Sequence, residues 1–146
     1  MSLPGPPSAG ATEPAPLEAL ARRWLACFNT RDLDGLLALY APDAVHVSPK
    51  LRDRQLAAGD RPPSECDGSI RGVPALHDWW RGAMDRLPGL RYEPMHITCD
   101  SAATLESGGR VFMEYLRTVP GEADLVVAEV LIVSDGRIVA SWVFHG

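Results

Sequence analysis

Several absences narrow what this chain can be. Its 146 residues contain no apolar run near the ~20 residues that a membrane-spanning helix needs. The three cysteines, Cys27, Cys66 and Cys99, are odd in number and show no CxxC spacing, so no disulfide framework is expected. The four histidines form neither HxH nor HExxH, and we expect neither a metal nor a cofactor. Positive charge is in the minority, 14 Lys and Arg against 19 Asp and Glu, for a net charge of −5. That balance argues against nucleic acid, whose phosphates need clustered cations. The opening MSLPGPPSAGATEPAP lacks the basic and apolar regions of a signal peptide. With thiols expected to be reduced, the expected location is the cytoplasm.

What remains is an ordinary globular composition, 46% hydrophobic and 23% charged, at a length that suits one domain. Residues 1–15, rich in Pro, Gly, Ala and Ser, read as a disordered tail, and the domain as 16–146. A first helix from Pro16 to Asn29 carries Leu17, Leu20, Ala21, Trp24 and Phe28 on one stripe. At ~1.5–3 kcal/mol per buried large side chain, that stripe suffices to dock it on a sheet. Asp32 is a good N-cap for a second helix, with Leu33, Leu36, Leu37 and Tyr40 sharing a face. Ala44 to Ser48 alternates as a strand, with Val45 and Val47 on one side and His46 and Ser48 on the other.

Residues 49–72 show no sustained periodicity and read as a long loop, either a binding loop or a plain solvated one. Lys50, Arg52 and Arg54 alternate there. We read them as keeping an exposed edge soluble, the alternative being an anionic substrate met at a pocket mouth. Pro74 to Leu87 forms a third helix with Leu76, Trp79, Trp80, Ala83 and Leu87 on its stripe. Strands follow at 90–99, 110–119, 125–133 and 137–145, with a weak one near 103–106 and a hairpin signal at Asp135-Gly136. The order is α+β.

Four passages, FNTRDLDGLLALYAPDAVHVSP, IRGVPALHDWWRGAM, VFMEYLRT and VAEVLIVSDGRIVASWVF, resemble the nuclear transport factor 2-like superfamily, in particular its SnoaL-like and ketosteroid-isomerase-like members. The resemblance covers about Leu17 to Gly146. It implies a cone-shaped, strongly curved antiparallel sheet packed on three helices, a pocket between them, and a homodimer formed through the outer face. It does not carry the isomerase reaction over. The general-base aspartate falls at Ser48 before Pro49, and the oxyanion tyrosine of the first helix falls at Trp24. The second oxyanion residue, a protonated aspartate, falls at Glu129, where a carboxyl group survives. Tyr40 matches a pocket tyrosine, and the resemblance turns Ser48, Glu129 and His145 toward the cavity.

Glu129 lies within an otherwise apolar run, where an unpaired charge is expensive to bury. A two-residue turn at Pro120-Gly121 would set Phe112 opposite Glu129 and place Glu114 and Glu129 on one side. A longer turn would separate the two glutamates. The candidate catalytic pair is Glu129 with His46, close enough to share a proton. Tyr40, Ser48, Glu114, His145 and Trp24 are candidate ligand contacts. The alternative is a buried Glu–His pair that only satisfies itself. Three functions follow: an acid–base enzyme (isomerase, cyclase, dehydratase or hydrolase) on a compact, mostly apolar molecule, a non-catalytic binder of one, or a dimeric adaptor. Trp142 and Phe144 are expected on the outer, dimer-facing side.

Overall fold

The computed structural model describes residues 15–145, without the side chain of His145. The expected tail therefore lies outside the described residues, except for Ala15, which is the N-cap of the first helix. That helix, α1 (Pro16–Asn29), buries the whole predicted stripe. In α2 (Leu33–Ala38), Asp32 caps as expected, its Oδ1 accepting from the Gly35 amide at 2.9 Å. The helix stops sooner than its apolar spacing suggests. Tyr40 is already the first residue of β1 (Tyr40–Val47).

The expected loop at 49–72 is largely ordered into elements. Ser48 caps a helix, α3 (Pro49–Ala58), by accepting from the Lys50 amide at 3.2 Å, with Pro49 in the first turn. Gly59 ends it at φ 66°, the left-handed conformation that glycine adopts without strain. The helix has too little apolar periodicity to stand out; its signal is in its caps. A 3-10 turn (Pro63–Glu65) leads to β2 (Ser69–Arg71) and then α4 (Val73–Arg86). There are thus four helices among the described residues where three were expected.

Four strands follow, β3 (Arg91–Cys99), β4 (Gly109–Thr118), β5 (Leu125–Ser134) and β6 (Arg137–His145). Residues 103–106 form a turn instead of the weak strand. Asp135 and Gly136, at φ 52° and 84°, make the tight hairpin that their sequence announces. The fold is α+β with one curved, unclosed six-stranded sheet in the order β2-β1-β6-β5-β4-β3. Every pairing is antiparallel except β1 with β6, which is parallel. Register breaks in three of the five ladders supply the bending, since each extra residue locally increases twist.

The turn between β4 and β5 is the longer of the two possibilities. Met113, not Phe112, stands opposite Glu129, and Glu114 stands opposite Ala128. Alternation then points Val111, Met113, Tyr115 and Arg117 inward, toward the helices. Phe112, Val130 and Trp142 form a row across the other face.

Candidate functional site

A cavity of about 240 Å³ lies between the inner face of the sheet and helices α1, α3 and α4. A cavity of about 150 Å³ is enough to hold benzene, so this one suits a molecule of one or two rings. Its side walls are aromatic. Trp24, Phe28, Tyr92 and Tyr115 pack ring against ring, with centroids 4.4 to 6.0 Å apart.

Glu129 is set into this wall at 1% exposure. Its Oε1 accepts from the Tyr115 hydroxyl at 2.7 Å, whereas Oε2 has no hydrogen-bond partner among the described residues. Burial pushes its pKa from the ordinary 4.5 up to about 8, and the Tyr115 bond offsets part of that. At neutral pH the group is therefore a carboxylic acid, able to donate.

His46 lines the same cavity, 3% exposed, with Trp80 against its ring at 5.2 Å. Burial lowers its pKa to about 4, so the imidazole is neutral. A chain of hydrogen bonds runs behind it. The Trp24 indole N–H donates to the Tyr40 hydroxyl (2.9 Å), which donates to Ser141 Oγ (3.1 Å), which lies 2.7 Å from His46 Nδ1. An indole can only donate, so the Tyr40 hydroxyl accepts at this end and keeps its own hydrogen for Ser141. Ser141 giving its proton to Nδ1 is the arrangement in which every hydroxyl hydrogen of the chain has an acceptor among the described residues, and the hydrogen of the ring then sits on Nε2.

Glu129 and His46 thus share one cavity, but no hydrogen bond joins them among the described residues. They are two neutral donors, not an acid with its conjugate base. Trp24 lines the cavity with its N–H already committed, and Ser48 lines it with its hydroxyl in the α3 cap. Tyr40 is not among the lining residues; it belongs to the chain behind His46. Glu114 is excluded by the register, pointing away from Glu129. The His145 side chain lies outside the described residues.

Three of the partners that matter here were missed. Tyr115 and Arg117 were readable from strand parity once the register was known. Ser141 was hidden because nothing in the sequence reveals that β6 runs beside β1 in parallel, which pairs His46 with Ser141. Among the described residues, no group of three or more His, Cys, Asp or Glu is placed to hold a metal ion.

The sequence profile of the SnoaL-like domain matches residues 21–141. The chain belongs to the SnoaL-like domain family. Solved structures agree on the fold of this SnoaL-like chain. A SnoaL-like protein of unknown function from Burkholderia thailandensis superposes with a TM-score of 0.67 at 24% identity, covering 88% of this chain and 93% of that one. A putative polyketide cyclase from Sinorhizobium meliloti gives 0.58 at 21%, over 86% and 94%. A putative ketosteroid isomerase from Kribbella flavida gives 0.62 at 19%, over 88% and 76%. No curated protein matches this SnoaL-like chain.

Proposed function

We propose that this SnoaL-like chain binds a compact, mostly apolar organic molecule in its cavity and moves a proton on it. Glu129 is the proton carrier and His46 a neutral hydrogen-bond donor. The observation that carries this is the unsatisfied Oε2 of Glu129, a buried carboxyl oxygen in the wall of a cavity. Burying a polar atom without a partner is costly, and a ligand oxygen beside it removes the cost. A pKa of about 8 lets Glu129 give a proton near neutrality and recover it, which suits general acid–base work. As a water takes the proton from the carbon beside a ligand carbonyl, Glu129 gives its proton to the carbonyl oxygen to form the enol and the Nε2–H of His46 shares the developing charge; the reverse steps return both protons. Isomerases, cyclases, dehydratases and hydrolases all use such a step. The names of the polyketide cyclase and isomerase relatives are in keeping with it.

Ser48 favours a second reading. The position that would carry a base holds a hydroxyl, and that hydroxyl is spent on a helix cap. A binder without turnover fits this as well. Proton exchange separates the two. With 2-tetralone in D2O, the wild-type protein should speed loss of the α-proton NMR signals and Glu129→Gln should not. Equal rates with and without protein would leave only the binder.

The same reading includes assembly and location. Met95, Phe112, Trp142 and Phe144 are exposed on the sheet, Phe144 at 61%, and a second copy of this chain is the occupant we propose for that face. Cys27, Cys66 and Cys99 are free thiols, which suits a reducing cytoplasm.

A further inference from the structure

Four cations converge on the cavity from three separate elements: Lys50 and Arg54 from α3, Arg86 from α4 and Arg117 from β4. Lys50 is the only lysine in the chain. Gathering them is unfavourable in itself. Burial first, then the charge of Arg117, holds the Lys50 ammonium below its usual range, with Glu122 opposing. Burial first, then Arg54, does the same to Arg86, with Asp85 opposing. Lys50, Arg54 and Arg86 make no ion pair within 4.0 Å among the described residues. Arg117 is only 6% exposed yet reaches Glu122 at no less than 3.4 Å.

Surface solubility does not account for this set. Arg52, the cation between the two on α3, turns elsewhere and donates to the Cys66 carbonyl at 3.1 Å. Lys50 and Arg54, one turn apart, share the face that meets the cavity. Arg54 is laid over the ring of Trp79, its guanidinium carbon 5.5 Å from the centroid. The one carboxyl group in the lining, Glu129, is uncharged at neutral pH and offers an anion no repulsion.

We propose that the ligand carries a carboxylate, held at the cavity mouth by Lys50, Arg54, Arg86 and Arg117, with a planar apolar body reaching inward to Glu129 and His46. This deepens the small-molecule reading above and rests on it. The mouth fixes the charged end and the wall receives the reacting one. Specificity then comes from the mouth, because a neutral ligand leaves Lys50, Arg54 and Arg86 without a counter-charge within 4.0 Å among the described residues.

Matched probes test it. 2-Naphthoate and its methyl ester differ in charge but hardly in shape, and quenching of cavity tryptophan fluorescence reports binding of each. The carboxylate should bind at least about tenfold more tightly than the ester, as one charge-assisted contact provides. Roughly 0.5 M salt should remove most of that preference. Lys50→Gln with Arg54→Gln should abolish it, and Lys50→Arg with Arg54→Lys should keep it. Both positions are exposed, and far-UV circular dichroism checks the fold. With 13C-lysine labelling, the single Lys50 side-chain signal should shift with the carboxylate and not with the ester. An ester bound as tightly as the acid overturns the proposal, as does a preference that survives the glutamine pair or naphthoate that fails to bind at roughly 1 mM. A naphthoate preference kept in Glu129→Gln, beside a wild type that exchanges no protons, would retain the mouth and reject the catalytic reading.

Discussion

His46 and Ser141 are direct neighbours across the parallel β1–β6 pairing, with Nδ1 and Oγ 2.7 Å apart. Trp24 donates to Tyr40 and Tyr40 to Ser141, and Ser141 donating to Nδ1 then uses every hydroxyl hydrogen, which couples a residue on α1 to the tautomer of a histidine on β1.

Trp24→Phe should therefore loosen the tautomer without emptying the cavity. Side-chain 15N spectra of the wild type should show His46 as a pure Nε2–H form at pH 7. In the variant, Tyr40 can reverse and the two tautomers should mix. A cost of about 1–2 kcal/mol accompanies the lost bond and the smaller ring. An unchanged 15N pattern would show that the indole does not govern the chain.

Glu129 and His46 should give stability two opposite pH limbs. Glu129 has a folded pKa above its unfolded value, so its contribution is complete below about pH 4.5 and falls away as pH rises to about 8. His46 has the reverse sign, losing its contribution as pH falls from 6.5 to about 4. Where those ranges overlap, from about pH 4.5 to 6.5, the two slopes oppose each other; from pH 6.5 to 8 only Glu129 acts. Glu129→Gln should abolish that alkaline limb, gaining on the order of 3–5 kcal/mol over wild type at pH 9 and little at pH 5. Urea melts at the two pH values measure this. Glu114→Gln, outside the cavity, should leave the limb in place.

The α3 cap should matter to ligand binding as well as to folding. Ser48→Ala removes the acceptor for the Lys50 amide and should cost about 1 kcal/mol. Fraying of the first turn would also release Lys50 from the mouth. Naphthoate affinity should fall several-fold, with the ester unaffected. Equal losses for both probes would place the role of Ser48 in the cavity wall instead.

Trp142→Ser with Phe144→Ser should yield a monomer by light scattering at micromolar concentration, where the wild type is expected to be a dimer. The pair removes apolar area from the outer face and leaves the inner face untouched. A wild-type protein that is already monomeric at that concentration rules this assembly out.

The sequence carried the fold because its helices obey one period and its strands another. The stripe of α1, the Asp32 cap and the Asp135-Gly136 hairpin are local signals, and each appears where it was expected. Helix α3 was lost because only its ends are marked, by Ser48, Pro49 and Gly59. At the site, parity placed His46 inward, and the lone carboxyl in an apolar run marked Glu129. Glu114 went wrong on a one-residue register decided by the turn over 119–124, whose length no local pattern fixes. Tyr115 and Ser141 depend on that register and on the parallel seam, both long-range facts.

The parallel seam also orders events in time. His46 and Ser141 are 95 residues apart in the chain, and Tyr40 and Ser141 are 101. Synthesis at about 5–20 residues per second therefore leaves β1 waiting for several seconds without its neighbour. The helices and the β3–β5 meander can assemble in that interval, because their contacts are nearer in sequence. The cavity wall is completed only when β6 slots in between β1 and β5. A chain arrested before β6 would hold Glu129 but neither the Ser141 beside His46 nor the Val143 of the wall, so the cavity stays open on that side until β6 is made.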